Sequence, residues 1–134
     1  MIEYIVDTSA LLTYLQDEEG KDRVKELLIT SKKINNVGIS FVSLTELYYL
    51  LKPHHAGKGL YAFSMIRQLP LQVIWADMQL TELAGEIKSD NKLSFADAWI
   101  AASAITHEAI LLHKDPEYEA IKHLRQEVLP YKKR

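Results

Sequence analysis

Short apolar runs alternate along the chain with longer segments in which apolar residues recur every three or four positions. Residues 2–6 form the first run, mostly apolar and β-prone, as in a buried strand. Asp7-Thr8-Ser9 offers capping chemistry, and 10–15 then reads as a short helix. Val24, Leu27 and Leu28 share one helical face in a second helix ending near Lys33. A short strand is predicted at 37–39, followed by a helix over 41–51 that Pro53 closes. Residues 54–59 read as a loop, and Leu60, Phe63 and Ile66 mark the next helix. The second half repeats the pattern. A strand is predicted at 71–75, a helix carrying Leu80, Leu83, Ala84 and Ile87, and an alanine-rich helix over 94–106. A strand follows at 109–112, and Asp115-Pro116 opens another helix with proline at its first position. Residues 128–131 read as a last strand, at a sheet edge because Pro130 has no N–H to pair.

This alternation predicts an α/β fold: one domain over 1–134, with a central, mostly parallel sheet flanked by helices in an α/β/α sandwich. In such sheets ligands bind beyond the carboxyl ends of the strands. The residues just after each strand therefore carry the functional question.

Composition narrows the chemistry. The 134 residues are 48% hydrophobic and 25% charged, enough to bury a core and coat it. There is no cysteine, so disulfides, thiolate metal sites and cysteine catalysis are excluded. No apolar run approaches a membrane span, and the first residues lack a basic, then apolar leader, so a cytoplasmic location is expected. A formal net charge of −2 does not suit binding to nucleic acid by bulk charge. Lys132, Lys133 and Arg134 read as a solvated tail.

Most acids lie in mixed polar segments, among them Glu117 and Glu119, and read as solvated surface. Three do not. Asp7 is the only charge between Tyr4 and Leu15, Glu46 the only charge in the helix 41–51, and Asp97 the only charge from Leu93 to Thr106. A lone carboxylate in an apolar element must protonate or find a partner. Asp115 is a fourth candidate, because it follows a strand and precedes a helix. Each has a simpler reading as a helix cap. Ser43-Leu44-Thr45-Glu46 and Ser94-Phe95-Ala96-Asp97 have capping-box spacing, and Asp115 before Pro116 resembles an N-cap. Capping does not require acids to be the sole charges of apolar helices. Four carboxylates on one rim would form an all-oxygen site for a hard ion, Mg²⁺ or Mn²⁺. Such an ion lets an acidic site accept a polyanion and hydrolyse a phosphate ester.

These residues resemble those of a known family. Ile5-Val6-Asp7-Thr8-Ser9-Ala10-Leu11-Leu12, Ser43-Leu44-Thr45-Glu46-Leu47, Leu93-Ser94-Phe95-Ala96-Asp97-Ala98-Trp99-Ile100-Ala101-Ala102-Ser103-Ala104 and Leu111-Leu112-His113-Lys114-Asp115-Pro116-Glu117-Tyr118 match, in order, PIN-domain ribonucleases. The chain is similar to the VapC-like toxins of type II toxin–antitoxin pairs over nearly its whole length. The resemblance implies Mg²⁺ or Mn²⁺ held by Asp7, Glu46, Asp97 and Asp115, with Asp7 and Asp97 as the principal ligands. It implies hydrolysis of RNA, a homodimer, and a small antitoxin that blocks the acidic groove. Two positions depart from the family pattern: His113 stands where a small hydroxyl residue is usual, and Tyr118 where phenylalanine is common.

The expected function is thus a divalent-metal-dependent endoribonuclease. Asp7 and Asp97 are expected to ligate metal, with Glu46 and Asp115 supporting through water or a second ion. Thr8, Ser9 and Ser94 are candidates for substrate contact or for support of the carboxylates, with capping as the alternative. His113, near Asp115, reads as a structural or surface residue, with a proton carrier or a support for the acids as the alternative, His54 and His55 as part of a loop, and Tyr48, Tyr49, Trp75 and Trp99 as core, dimer contacts or stacking surfaces for bases. Lys88, Lys92, Lys114 and Arg125 are candidate phosphate contacts. One alternative is a non-catalytic binding module on the same fold. The other is a metal-dependent phosphatase-like hydrolase, which Ser9 disfavours because an acid two residues after Asp7 would be expected. Neither a dinucleotide fingerprint nor a P-loop is present.

Overall fold

The computed structural model describes residues 1–53 and 58–131. Five strands, β1 (Tyr4–Val6), β2 (Val37–Ser40), β3 (Gln72–Ile74), β4 (Ile110–His113) and β5 (Arg125–Val128), make one sheet in the order β3-β2-β1-β4-β5. Every pairing is parallel. Among the described residues six α-helices cover it: α1 (Thr8–Leu15), α2 (Lys21–Ile34), α3 (Phe41–Leu51), α4 (Lys58–Ile66), α5 (Met78–Asp90) and α6 (Phe95–Thr106). A short 3₁₀ helix, Pro116–Ala120, follows β4. Among the described residues no helix is long and apolar enough to cross a membrane. His54 and His55, and the tail Lys132, Lys133 and Arg134, lie outside the described residues.

The strands point successive side chains to opposite faces, which divides the core in two. Ile5 and Leu111, paired in register, face one layer with Ala98, Ile100, Ala101 and Ala104 of α6 and Leu80 and Ala84 of α5. Val6 and Leu112, the next pair, face Leu11 of α1, Val24 and Leu28 of α2 and Leu47 of α3. Burial on both faces explains why β1 and β4 read as continuous apolar runs. Gly38, opposite Ile5, sits where a Cβ would come within 3.0 Å of Ile74 Cδ1 and 3.3 Å of Ile2.

The predicted elements occur in the predicted order, with one displaced. The last strand is 125–128, not 128–131, and Pro130 lies beyond it. It is an edge strand, as expected. Its residues, Arg-Gln-Glu-Val, carry no apolar run, and the buried Leu124 and Leu129 lie outside its two ends. Pairing to the open edge of β4 places this strand, not its composition.

Candidate metal centre

Asp7 ends β1 and caps α1, its Oδ2 accepting from Ser9 N–H at 3.0 Å and from the Ser9 hydroxyl. The Asp7 N–H donates to Leu112 O at 2.9 Å, which holds this residue against the carboxyl end of β4. From α6, Asp97 enters the same rim. Ser94 caps that helix, accepting from Asp97 N–H at 3.1 Å, so the first turn presents its carboxylate inward. Between the two acids stands the Tyr118 hydroxyl, donating to Asp7 Oδ1 at 2.6 Å and lying 2.9 Å from Asp97 Oδ1. Tyr118 is fully buried.

The 3₁₀ helix that carries Tyr118 is braced from behind. Asp115 N–H donates to His113 Nδ1 at 3.0 Å. The proton of His113 therefore sits on Nε2, which bonds Gln126 Oε1 at 2.8 Å. Gln126 Nε2 donates in turn to Tyr118 O at 2.9 Å. The His113 ring is fully buried and packs on Tyr118 with centroids 4.7 Å apart. Of its expected roles the surface one fails, and the residue is a structural support behind Asp115 and Tyr118.

Asp115 caps the 3₁₀ helix, accepting from Glu117 N–H at 3.0 Å, and also faces Asp97. One carboxylate oxygen each from Asp97, Asp115 and Glu117 lie within 4.8 Å of one another, close enough to hold one cation. Glu46 of α3 lies outside that group but within electrostatic reach of Asp7. Thr8 Oγ1 donates to Glu46 Oε1 at 2.6 Å and lies 2.9 Å from Ser43 Oγ. The capping-box reading of Glu46 fails: α3 begins at Phe41, Ser40 is its cap, and Ser43 is already inside the helix. The caps at Asp7, Ser94 and Asp115 are real, and for Asp7 and Asp115 they coexist with membership of the acidic cluster.

The electrostatics are those of a site short of positive charge. Burial raises the Asp7 carboxyl above its usual range, against the bonds from Ser9 and Tyr118. Burial, then the charge of Asp7, pushes Asp97 up to about 8, and Asp115 adds to the rise. Burial also raises Glu46, which the Thr8 hydroxyl opposes. The same causes, burial first and then the two carboxylates, keep the Tyr118 hydroxyl protonated. Among the described residues none of Asp7, Glu46, Asp97, Asp115 or Glu117 has a Lys or Arg ion-pair partner. An all-oxygen donor set with raised proton affinities and no basic counterion fits a hard divalent ion.

Two of the expected phosphate contacts are engaged elsewhere. Lys114 donates to Glu19 O at 3.3 Å and pairs with Glu18 at 3.7 Å, on the wall of a cleft of about 480 Å³ shared with Ser9 and Pro116. Arg125 donates to Glu108 O at 3.0 Å and lies in register with Ile110, at the amino end of β4 and away from the acids. The aromatics divide. Tyr48 packs edge-on to Phe63, Trp99 is wedged between Phe41 and Phe95, and Trp75 and Phe95 are exposed. In the sequence Glu117 and Tyr118 belong to the fourth matching piece, Tyr118 as a departure from it, and neither is assigned a role in the site. Only the 3₁₀ turn shows that one reaches the cluster and the other points inward.

Comparison with known proteins accords with this geometry. The PIN domain family matches residues 4–124. No curated protein matches the chain. Among solved structures, the DNA-bound VapBC of Salmonella typhimurium aligns with a TM-score of 0.80 and 21% identity, over 95% of this chain and 98% of that one. VapBC2 of Rickettsia felis, bound to a promoter DNA fragment, gives 0.76 and 23%, over 97% and 100%. VapC20 of Mycobacterium tuberculosis, a sarcin-ricin loop cleaving toxin, gives 0.71 and 22%, over 96% and 100%. The chain belongs to the PIN-domain family and has the fold seen in these VapC structures.

Proposed function

We propose that the protein is an Mg²⁺- or Mn²⁺-dependent endoribonuclease that hydrolyses RNA phosphodiester bonds, acting as the toxin of a toxin–antitoxin pair. The observation that carries this reading is the meeting of Asp97 with Asp115 and Glu117 within 4.8 Å, and with Asp7 across the Tyr118 hydroxyl, with no Lys or Arg ion-pair partner among the described residues. Asp7 and Asp97 would hold the ion, Asp115 and Glu46 would support it through water or a second ion, and Glu117 would close the exposed side of the cluster. When bound, a divalent ion supplies a polarised water as nucleophile and neutralises charge at the phosphate.

The remaining residues orient these acids. Ser9 fixes Asp7 Oδ2 and accepts from Lys114 N–H at 3.0 Å, which ties the loop after β4 to the start of α1. Thr8 orients Glu46, and Ser94 sets the first turn of α6. Phe95, two residues before Asp97, is 68% exposed and packs edge-on to Trp99. Such an exposed ring is a surface on which unpaired bases stack, which supports a single-stranded RNA substrate.

For partners, the reading includes a homodimer and a small antitoxin. Support comes from the exposed apolar side chains of α3 and α4: Tyr49 at 58%, Tyr61 at 68% and Met65 at 45% exposure, a face that a protein partner can cover.

The test is incubation of the purified chain, freed of any bound inhibitor, with a pool of single-stranded RNAs in Mg²⁺ or Mn²⁺ and in EDTA. Cleavage with the ions and none in EDTA is expected. Cation binding without cleavage of any RNA would favour the binding-module reading. Cleavage undiminished in EDTA would remove the metal from the account.

A further inference from the structure

We propose that the Tyr118 hydroxyl is a positioning group for the cation site, holding Asp7 and Asp97 together so that an ion need not first gather them. This rests on the metal reading given above and adds to it a residue that ligates nothing.

Asp7 and Asp97 arrive from different elements, the end of β1 and the first turn of α6, separated by 90 positions in the chain. Ser9 fixes Asp7 Oδ2 from the first turn of α1, and that bond does not reach Asp97. One hydroxyl stands between the two carboxylates, donating its single proton to Asp7 Oδ1 at 2.6 Å with Asp97 Oδ1 2.9 Å from the same oxygen. That oxygen cannot wander. Its ring is fully buried against His113, and its backbone carbonyl is fixed by Gln126, which His113 holds in turn. The same imidazole fixes the backbone of Asp115, another member of the cluster. Tyr118 is thus a rigid spacer whose position, set by β4 and β5, is transmitted to two carboxylates on β1 and α6. Groups that orient metal-binding carboxylates by hydrogen bonding from behind govern affinity, and removing one costs roughly 10–100-fold in metal binding.

The test is Tyr118→Phe, which keeps the ring and removes only the hydroxyl. Mn²⁺ binding to the full chain is measured by calorimetry, with the metal-free melting temperature measured beside it. The expected result is an increase in the Mn²⁺ dissociation constant of about 10-fold or more. A merely structural tyrosine would lower the metal-free melting temperature and leave the dissociation constant unchanged, which would overturn the proposal. Tighter binding by Tyr118→Phe would overturn it too, since the hydroxyl would then compete with the ion. If the wild type binds no Mn²⁺, the metal reading itself falls, and the proposal with it. Gln126→Leu is the second variant, should Tyr118→Phe fail to fold. It touches none of the carboxylates and releases the Tyr118 carbonyl. Weaker Mn²⁺ binding, by a smaller factor, is expected, and unchanged binding would overturn the rigid-spacer account.

Discussion

The hydroxyl of Thr8 donates to Glu46 Oε1 across 2.6 Å, joining the first turn of α1 to the second turn of α3. Thr8 is buried and adjoins Asp7, so the carboxylate of Glu46 is aimed by the same turn that aims Asp7. Thr8→Val keeps the shape and removes the donor. The bond is half-buried, and its loss is expected to destabilise the fold by about 1–2 kcal/mol, the lower part of the range for a hydrogen bond to a charged group. Thr8→Ser is expected to restore most of it. Thermal melts of the two variants, with cleavage rates beside them, check this.

The raised acids set a pH dependence with a definite sign. Asp97 has an unfolded value near 3.8 and a folded value of about 8, so between these the folded state binds the extra proton. Stability therefore falls as pH rises from about 4 to about 8 in the metal-free protein. Asp7 and Glu46, shifted in the same direction, add to the fall. Melting temperatures across that range are expected to decline in EDTA and to recover with Mn²⁺, most at the alkaline end, where no proton competes for the site. Asp97→Asn is expected to flatten the decline and to raise the metal-free melting temperature at pH 8. A metal-free melting curve that rose from pH 5 to 8 would contradict the assignment.

His113 is a brace, and its loss should be felt in both stability and activity. His113→Ala empties a fully buried position and leaves Asp115 N–H and Gln126 Oε1 without their partner. A loss of about 2–4 kcal/mol is expected from the cavity and the unpaired groups together. Chemical denaturation measures the loss. Weaker Mn²⁺ binding should accompany it, because Asp115 and Tyr118 both lean on this ring.

Arg23 and Glu127 provide a contrast remote from the acids. The guanidinium of α2 grips the β5 carboxylate with two bonds, 2.6 Å from Nε to Oε2 and 3.0 Å from Nη2 to Oε1. Both side chains are about one-third exposed, so water and salt screen the pair. Glu127→Gln is expected to cost no more than ~1 kcal/mol. The cost should shrink at high ionic strength, with Mn²⁺ binding unchanged.

Legibility in the sequence followed physical cause. The helix 41–51 stands out because its apolar period is unbroken and Pro53 ends it. Strands β1 and β4 stand out because both faces of each are buried. Asp7 and Asp97 are visible because a single charge in an apolar element is conspicuous. β5 is not, because its polar residues become a strand only through the free edge of β4. Tyr118 hides for a different reason. A 3₁₀ turn has no long apolar period, so nothing local distinguishes an inward tyrosine from its solvated neighbours Glu117 and Glu119. Glu46 has capping-box spacing from Ser43, and only the observed helix start at Phe41, capped by Ser40, shows that Ser43 caps nothing.

The most direct measurement is RNA cleavage by Asp97→Asn beside the wild type in Mn²⁺, with melting curves establishing that both are folded. The account expects a variant at least as stable at pH 8 that cleaves RNA at least 100-fold more slowly, on the order of the loss when a transition-state charge loses its stabilising group. A folded variant that cleaves the same RNA at the wild-type rate would contradict the acidic cluster as the active site.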